Sequence, residues 1–228
     1  MSALAPPPPG TIQVWSDLLC PFTHVALLRL RRARTRLRLD GVVRLEHRTF
    51  ALELFDGPHP RRGTDTEAVG VGRLEPGEFR VWSGPEDQYP HSVLLAAEAV
   101  HAAAQQGPRA AEELDLALRR AFWARSRSIG HRQGVLDVAA ELPDGVLDVG
   151  ALAAALDDGR CRAAVTADHV VASTDAVAGS PTFRLPDGSA VTNPGVRVHW
   201  DGPWASGFPV VDADDPGAVE DLVRRAAP

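Results

Sequence analysis

Apolar and polar positions fall into distinct blocks along this chain. Residues 11–16, TIQVWS, are rich in strand formers and predict a short buried strand. The run LLRLRRARTRLRL then carries Leu27, Leu28, Leu30, Leu37 and Leu39 among six arginines. With no Gly or Pro after Pro21, it predicts a helix with a solvated basic face, closed by Asp40-Gly41. VVRLEHRTFAL, residues 42–52, alternates apolar and polar and predicts a second strand. Strand, helix and strand in that order imply a right-handed crossover and a parallel pair.

Residues 56–90, rich in Gly, Pro and charge, predict a long loop. From 91 to about 177 the pattern turns helical. HSVLLAAEAVHAAAQQ stops at Gly107-Pro108, and RAAEELDLALRRAFWARS sets Leu114, Leu118, Ala121 and Phe122 on one face. GVLDVAAEL and DVGALAAALDDG follow as short helices, the second with Asp148 as N-cap. RCRAAVTADHVVASTDAVA predicts another helix, with Gly179 as its C-cap. Strand signals then return: PTFRL and SAVTN flank the turn sequence PDG and predict a hairpin. VRVHW either extends the sheet or covers its edge. DDPGAVEDLVRRAA closes the chain as an amphipathic helix, acidic near its start and basic near its end, as the helix dipole prefers.

With the middle helices removed, the remaining order is that of thioredoxin. The fold class expected is therefore α/β, a thioredoxin fold carrying an inserted all-helical subdomain. The corresponding divisions are a disordered proline-rich leader over 1–10, a first thioredoxin part over 11–64, a loop plus helical insertion over 65–159 and a second thioredoxin part over 160–228.

Composition narrows the function classes. The 228 residues are 44% apolar and carry a formal charge of −6, which gives no reason to expect nucleic acid as a partner. All 24 Lys+Arg positions are arginine, a composition typical of GC-rich coding sequence rather than a functional demand. MSALAPPPPG has neither the charge nor the apolar stretch of a signal peptide. No run reaches the roughly 18 apolar residues that span a bilayer, so no membrane partner and a cytoplasmic location are expected. The two cysteines, Cys20 and Cys161, are too few for a disulfide framework and predict free thiols.

The chemistry concentrates in DLLCPFTH, residues 17–24. Pro21 suits the first helical position, because its missing N–H would be unpaired there anyway. Cys20 then becomes the N-cap, where helix N–H groups and the positive end of the dipole favour thiolate over thiol. A largely ionised, nucleophilic Cys20 is expected. Thr23, one turn on, can donate its hydroxyl to the same sulfur but cannot attack a mixed disulfide, as a second cysteine there would. In AGSPTFRL, residues 178–185, a cis Ser180-Pro181 bond would expose the Ser180 backbone for pairing with an extended partner beside the sulfur. A buried, inert Cys20 and a plain Gly-Ser-Pro turn are the bland alternatives.

DLLCPFTH after the first strand, GSPTFRLPDG after the last inserted helix and the helical middle together resemble the DsbA-like thioredoxin-fold family. HRTFAL and DHVVASTDAVAGSPTF look most like its FrnE-type cytoplasmic branch. The resemblance spans roughly residues 11–226. It implies a thioredoxin domain interrupted by helices, with the active site in the groove between them. It also implies Cys20 as the nucleophile and Pro181 as the cis-proline. Thr23 stands at the resolving-cysteine position, a departure from the family's Cys-Pro-aromatic-Cys motif. Kappa-class glutathione transferases and 2-hydroxychromene-2-carboxylate isomerases share the fold, with Ser at the first position to activate a bound thiol cofactor.

The expected function is thiol–disulfide oxidoreduction through one nucleophilic cysteine, with Cys20, Thr23 and Pro181 as catalytic candidates. Phe22, His24, Ser180 and Thr182 are the substrate-binding candidates. A small thiol or a protein disulfide is the expected substrate. No tightly bound cofactor is expected, and a low-molecular-weight thiol, mycothiol or glutathione, is the expected co-substrate. The alternatives are a thiol-dependent transferase or isomerase and a catalytically decayed binding module. His24 either tunes Cys20 as a cation or packs on the helix face, and Asp17 either accepts a proton or caps its loop. Cys161 either resolves Cys20 from a distance or is a small residue at a helix start. The scattered histidines show no metal-ligand spacing.

Overall fold

The computed structural model describes residues 4–203 and 206–228. Strand β1 (Thr11–Ser16), helix α1 (Pro21–Leu37) and strand β2 (Arg44–Thr49) form the crossover unit, with β1 and β2 parallel and Thr11 opposite Arg44. Helices α2 (Glu53–Asp56), α3 (Arg61–Val71), α4 (Leu94–Gln106), α5 (Pro108–Trp123), α6 (Arg132–Ala140), α7 (Val149–Asp158) and α8 (Arg162–Ala172) follow. Strands β3 (Thr182–Arg184) and β4 (Ala190–Thr192) make a hairpin, then come β5 (Val196–Asp201), β6 (Phe208–Asp214) and α9 (Gly217–Ala226). The main sheet has the order β2-β1-β3-β4, and β3 runs antiparallel to both of its neighbours. This is the thioredoxin-type α/β arrangement interrupted by a helical insertion. Among the described residues no helix is long and apolar enough to cross a membrane.

Every residue of β1 is buried, as expected of a strand covered on both faces. On one side Ile12 and Val14 meet Ala26, Leu27 and Leu30 of α1, Phe183 of β3, and Val219, Leu222 and Val223 of α9. Each fully buried aliphatic side chain of this kind stabilises the fold by about 1.5–3 kcal/mol. A second core, built on Leu114, Leu118, Phe122 and Trp123 of α5 with Ile129 and Leu152, also takes in Leu18 and Leu19 of the Cys20 loop.

Four expectations change. The long loop contains a helix, α3, in which Gly63 and Gly70 masked the pattern; each glycine costs about 0.5–1 kcal/mol in a helix interior. Gly70 is required sterically, because a Cβ there would sit 2.3 Å from the Pro209 carbonyl oxygen. VRVHW does not join the main sheet but pairs with β6 in a separate two-stranded sheet, and β6 was hidden by its internal Pro209. Helix α8 ends at Ala172 instead of reaching Gly179: the Ser173 hydroxyl donates to His169 O at 2.8 Å and the Thr174 hydroxyl to Val171 O at 2.7 Å. Such side-chain bonds offer the backbone an alternative to helix.

The fourth change concerns the arginines of α1, which form a solvated face only in part: Arg32, Arg36 and Arg38 are exposed, the others less so. Arg29 and Arg34 are buried, Arg29 against Glu75 and Asp214 and Arg34 against Glu112. Arg31 pairs with Glu113, Arg32 with Glu75 and Arg36 with Glu220. Of the proline-rich leader, residues 1–3 lie outside the described residues. From Leu4 onward it runs beside β3, whose Arg184 donates to the Leu4 and Ala5 carbonyls.

Candidate functional site around Cys20

Cys20 closes a short loop between the buried end of β1 and Pro21, the first residue of α1. Asp17 shapes that loop. Its Oδ1 accepts from Leu19 N at 2.7 Å, its Oδ2 from Leu52 N at 2.9 Å, and its carbonyl from Cys20 N at 3.2 Å. Asp17 is therefore a buried loop-capping carboxylate. Arg119 reaches the same loop from α5, donating from Nη1 to Asp17 O at 2.7 Å and from Nη2 to Ser16 Oγ at 2.9 Å.

The second half of the site comes from residues 178–182. The Ser180–Pro181 peptide is cis, and the Cys20 thiol donates to Ser180 O at 3.2 Å. Ser180 Oγ accepts from Asp17 N at 2.9 Å and lies 3.3 Å from Thr23 Oγ1. Cys20, Thr23, Ser180 and Pro181 are thus gathered from two segments 160 residues apart. Cys20 and Phe22 lie in one small apolar cluster with Val25, Val71 of α3 and Val196 of β5, and Val198 and Val211 pack against it.

This cover corrects the expected ionisation of Cys20. The residue is only 3% exposed, and burial pushes its thiol up. The polar groups of Ser180 and Thr23 act the other way, and a charge on Glu67 adds to the upward push. By distance the Thr23 hydroxyl meets Ser180 Oγ, and the Cys20 side chain makes no cap bond to α1, contrary to the N-cap expectation. The bond to Ser180 O also requires the proton to be on sulfur. At neutral pH Cys20 rests as a thiol.

Two substrate-binding candidates are also corrected. His24 is fully buried, with Nε2 3.3 Å from Glu78 Oε2 and its ring edge-on to Phe79. Burial holds it neutral, so it neither meets a substrate nor supplies a charge to Cys20. Thr182 is 1% exposed, its hydroxyl bound to Gly179 O at 2.8 Å and facing Thr192 Oγ1 at 2.9 Å. It braces the hairpin. Phe22 is a wall of the apolar cluster, and Ser180 is half-buried.

Cys161 belongs to the core of the insertion, where Gln105 Nε2 donates to its sulfur at 3.4 Å. Burial raises its thiol pKa, with Glu98 and Asp158 adding to the effect. Both cysteines are free.

Sequence reasoning missed three groups beside Cys20. His59 Nε2 lies 3.4 Å from Asp17 Oδ2. Burial opposes both charges, but the pairing prevails: the His59 pKa is raised and that of Asp17 lowered. The Glu67 carboxyl is surrounded by protein although the residue keeps some accessible surface; burial pushes it up to about 8, partly offset by His59. Arg119, 1% exposed, is the third. His59 and Glu67 sit in the stretch read as a loop, and Arg119 was one of many arginines on helices. Among the described residues no cluster of His, Cys, Asp and Glu could hold a metal ion.

A family profile described as a DSBA-like thioredoxin domain matches residues 11–199. No curated protein sequence matches the chain. Among solved structures, it is similar to a protein described as a probable DsbA oxidoreductase from Streptomyces coelicolor, with a TM-score of 0.65 and 21% identity over 95% of this chain and 89% of that one. The cytosolic disulfide reductase DsbM from Pseudomonas aeruginosa with GSH superposes with a TM-score of 0.51 and 20% identity, covering 80% and 89%. A 2-hydroxychromene-2-carboxylate isomerase gives 0.58 and 16%, covering 79% and 87%. At these identities the likeness is one of fold.

Proposed function

The chain belongs to the DSBA-like thioredoxin-domain family, and from that premise we propose that it carries out thiol–disulfide exchange through one sulfur, that of Cys20. The observation that carries this reading is the contact of Cys20 Sγ with Ser180 O at 3.2 Å, beside a cis Pro181. A backbone edge that holds the thiol at rest can hold a partner's disulfide during reaction.

In the exchange, Cys20 loses its proton and attacks one sulfur of a disulfide. A Cys20–S–S–R bond forms, the old disulfide breaks, and the departing thiolate takes up a proton. Thr23 has no sulfur with which to resolve the adduct. An external thiol attacks instead, takes R away as a new disulfide and returns the Cys20 thiol. Glutathione or mycothiol is the co-substrate proposed, with a small thiol or protein disulfide as partner and no tightly bound cofactor. The related reductase described as cytosolic, solved with GSH, favours this choice and a cytoplasmic setting. HRTFAL and DHVVASTDAVAGSPTF favour the FrnE-type branch.

A second reading has its own observation. A protonated Cys20, with the Thr23 and Ser180 hydroxyls 3.3 Å apart beside it, resembles a hydrogen-bonding site for a bound thiol cofactor. That arrangement suits a thiol-dependent transferase or isomerase. Incubation with glutathione disulfide or mycothiol disulfide, followed by intact-mass spectrometry, separates the readings. A stable adduct on Cys20, released by added thiol, is expected for exchange. Saturable binding of the reduced thiol without an adduct supports the transferase or isomerase. Neither result leaves a binding module.

A further inference from the structure

His59 lies on the segment between α2 and α3 and is 6% exposed. Its backbone is clamped to residue 91: His59 N donates to His91 O at 2.9 Å, and His59 O faces His91 Nδ1 at 3.1 Å. The main chain that carries the ring is therefore fixed. The ring Nε2, buried and without a hydrogen-bond partner, faces Asp17 Oδ2 at 3.4 Å. Asp17 binds Ser180 Oγ through its N–H, and Ser180 O binds the Cys20 thiol. Hydrogen bonds thus join the Asp17 main chain and the sulfur through Ser180, with the His59 ring beside the Asp17 carboxylate.

We propose that His59 is a positioning residue of the Cys20 site, whose imidazolium compensates the Asp17 carboxylate and thereby sets the reactivity of the neighbouring thiol. The role rests on Cys20 being the reacting group, whatever its partner.

The charges that face this pair come from several elements. Arg119 of α5 meets the Asp17 carbonyl but is itself matched by Asp115 at 2.8 Å. Glu53 of α2 acts on His59 and accepts from Val93 N at 2.7 Å. Glu67 of α3 acts on His59 and on Cys20, and with its carboxyl titrating at about 8 it is largely neutral at pH 7. His59 is then the cation set against the Asp17 carboxylate. Without it, a Cys20 thiolate would form beside an uncompensated anion, and a like charge nearby raises a thiol's pKa. At alkaline pH His59 loses its proton while Glu67 gains a charge. Both changes oppose ionisation of Cys20, so its reactivity should climb with pH less steeply than that of a lone thiol.

Iodoacetamide labelling of Cys20 across pH 5.5–10 tests this in the full chain, with near-UV circular dichroism as the folding control. His59→Gln should lower the labelling rate at pH 7 by roughly tenfold, equivalent to an upward move of about one pH unit in the inflection. Glu67→Gln should steepen the profile above pH 8. His59→Lys, which keeps a cation beside Asp17, should return the inflection towards the parent value; a purely structural His59 would give no such recovery. A folded His59→Gln protein with an unchanged profile, or a folded His59→Lys protein no better than His59→Gln, overturns the proposal. Labelling needs no disulfide partner. If the protein forms no mixed disulfide yet His59→Gln shifts the profile, the exchange reading fails and the positioning role stands.

Discussion

Arg119 of the helical insertion donates from Nη1 to the Asp17 carbonyl oxygen at 2.7 Å and is paired with Asp115 through Nε at 2.8 Å. The insertion thereby holds the loop that carries Cys20. Arg119→Leu leaves Asp115 buried without its cation, and losing one partner of a buried pair costs about 3–5 kcal/mol. Equilibrium urea unfolding should show that loss. Arg119→Lys should not restore it, because one ammonium cannot span Asp115, Ser16 Oγ and the Asp17 carbonyl together. Unchanged stability in Arg119→Leu would contradict this account.

Thr23 lowers the Cys20 pKa by hydrogen bonding, while burial raises it. The parent labelling profile should inflect above the free-cysteine value of about 8.5. Thr23→Val removes the hydroxyl, so the inflection should move higher still. A hydrogen bond worth about 0.5–1.5 kcal/mol corresponds to a roughly two- to tenfold slower labelling at pH 7. A profile that moves down would reverse the role assigned to this hydroxyl.

Thr23→Cys supplies the absent sulfur at a position that is fully buried and of similar size. Intramolecular attack should then release a mixed disulfide from Cys20 and leave Cys20 bonded to the introduced sulfur. With glutathione disulfide, the adduct should accumulate in the parent protein and fail to accumulate in the variant. Persistence of the adduct would mean that residue 23 cannot reach the sulfur.

Gly70→Ala probes the packing of α3 on β6. The added Cβ would lie 2.3 Å from the Pro209 carbonyl oxygen, a backbone atom that cannot swing aside. Overpacking of this kind costs about 1–3 kcal/mol, here set against the better helix propensity of Ala. Thermal unfolding should show a net loss. A raised Tm would mean that α3 and β6 separate freely.

The helices from residue 91 were legible in their apolar periods, the first strand in its strand-forming residues and the β3–β4 hairpin in its PDG turn. The meeting of Cys20 with Ser180-Pro181 followed from the resemblance to the DsbA-like family, because no local pattern joins segments 160 residues apart. The ionisation of Cys20 was not legible, because it depends on Val71 and Val196, which a local reading of residues 17–24 does not contain. Helix α3 and strand β6 escaped for the same reason. Gly70 and Pro209 break the local patterns, and each makes sense only against the other. His24 looked available beside the motif, yet Glu78 and Phe79 from a distant segment enclose it.

The ion pairs of α1 have a mechanical consequence. Arg29, Arg31, Arg34 and Arg36 tie one rod to three elements: Asp214 of β6, Glu113 and Glu112 of α5, and Glu220 of α9. Turning an α-helix by a single residue rotates its side chains about 100°. Such a turn would break all of these ties at once, the buried Arg29 and Arg34 pairs among them. With α1 so held, exposing the sulfur to a partner would require displacing its cover, Val71 of α3 or Val196 of β5.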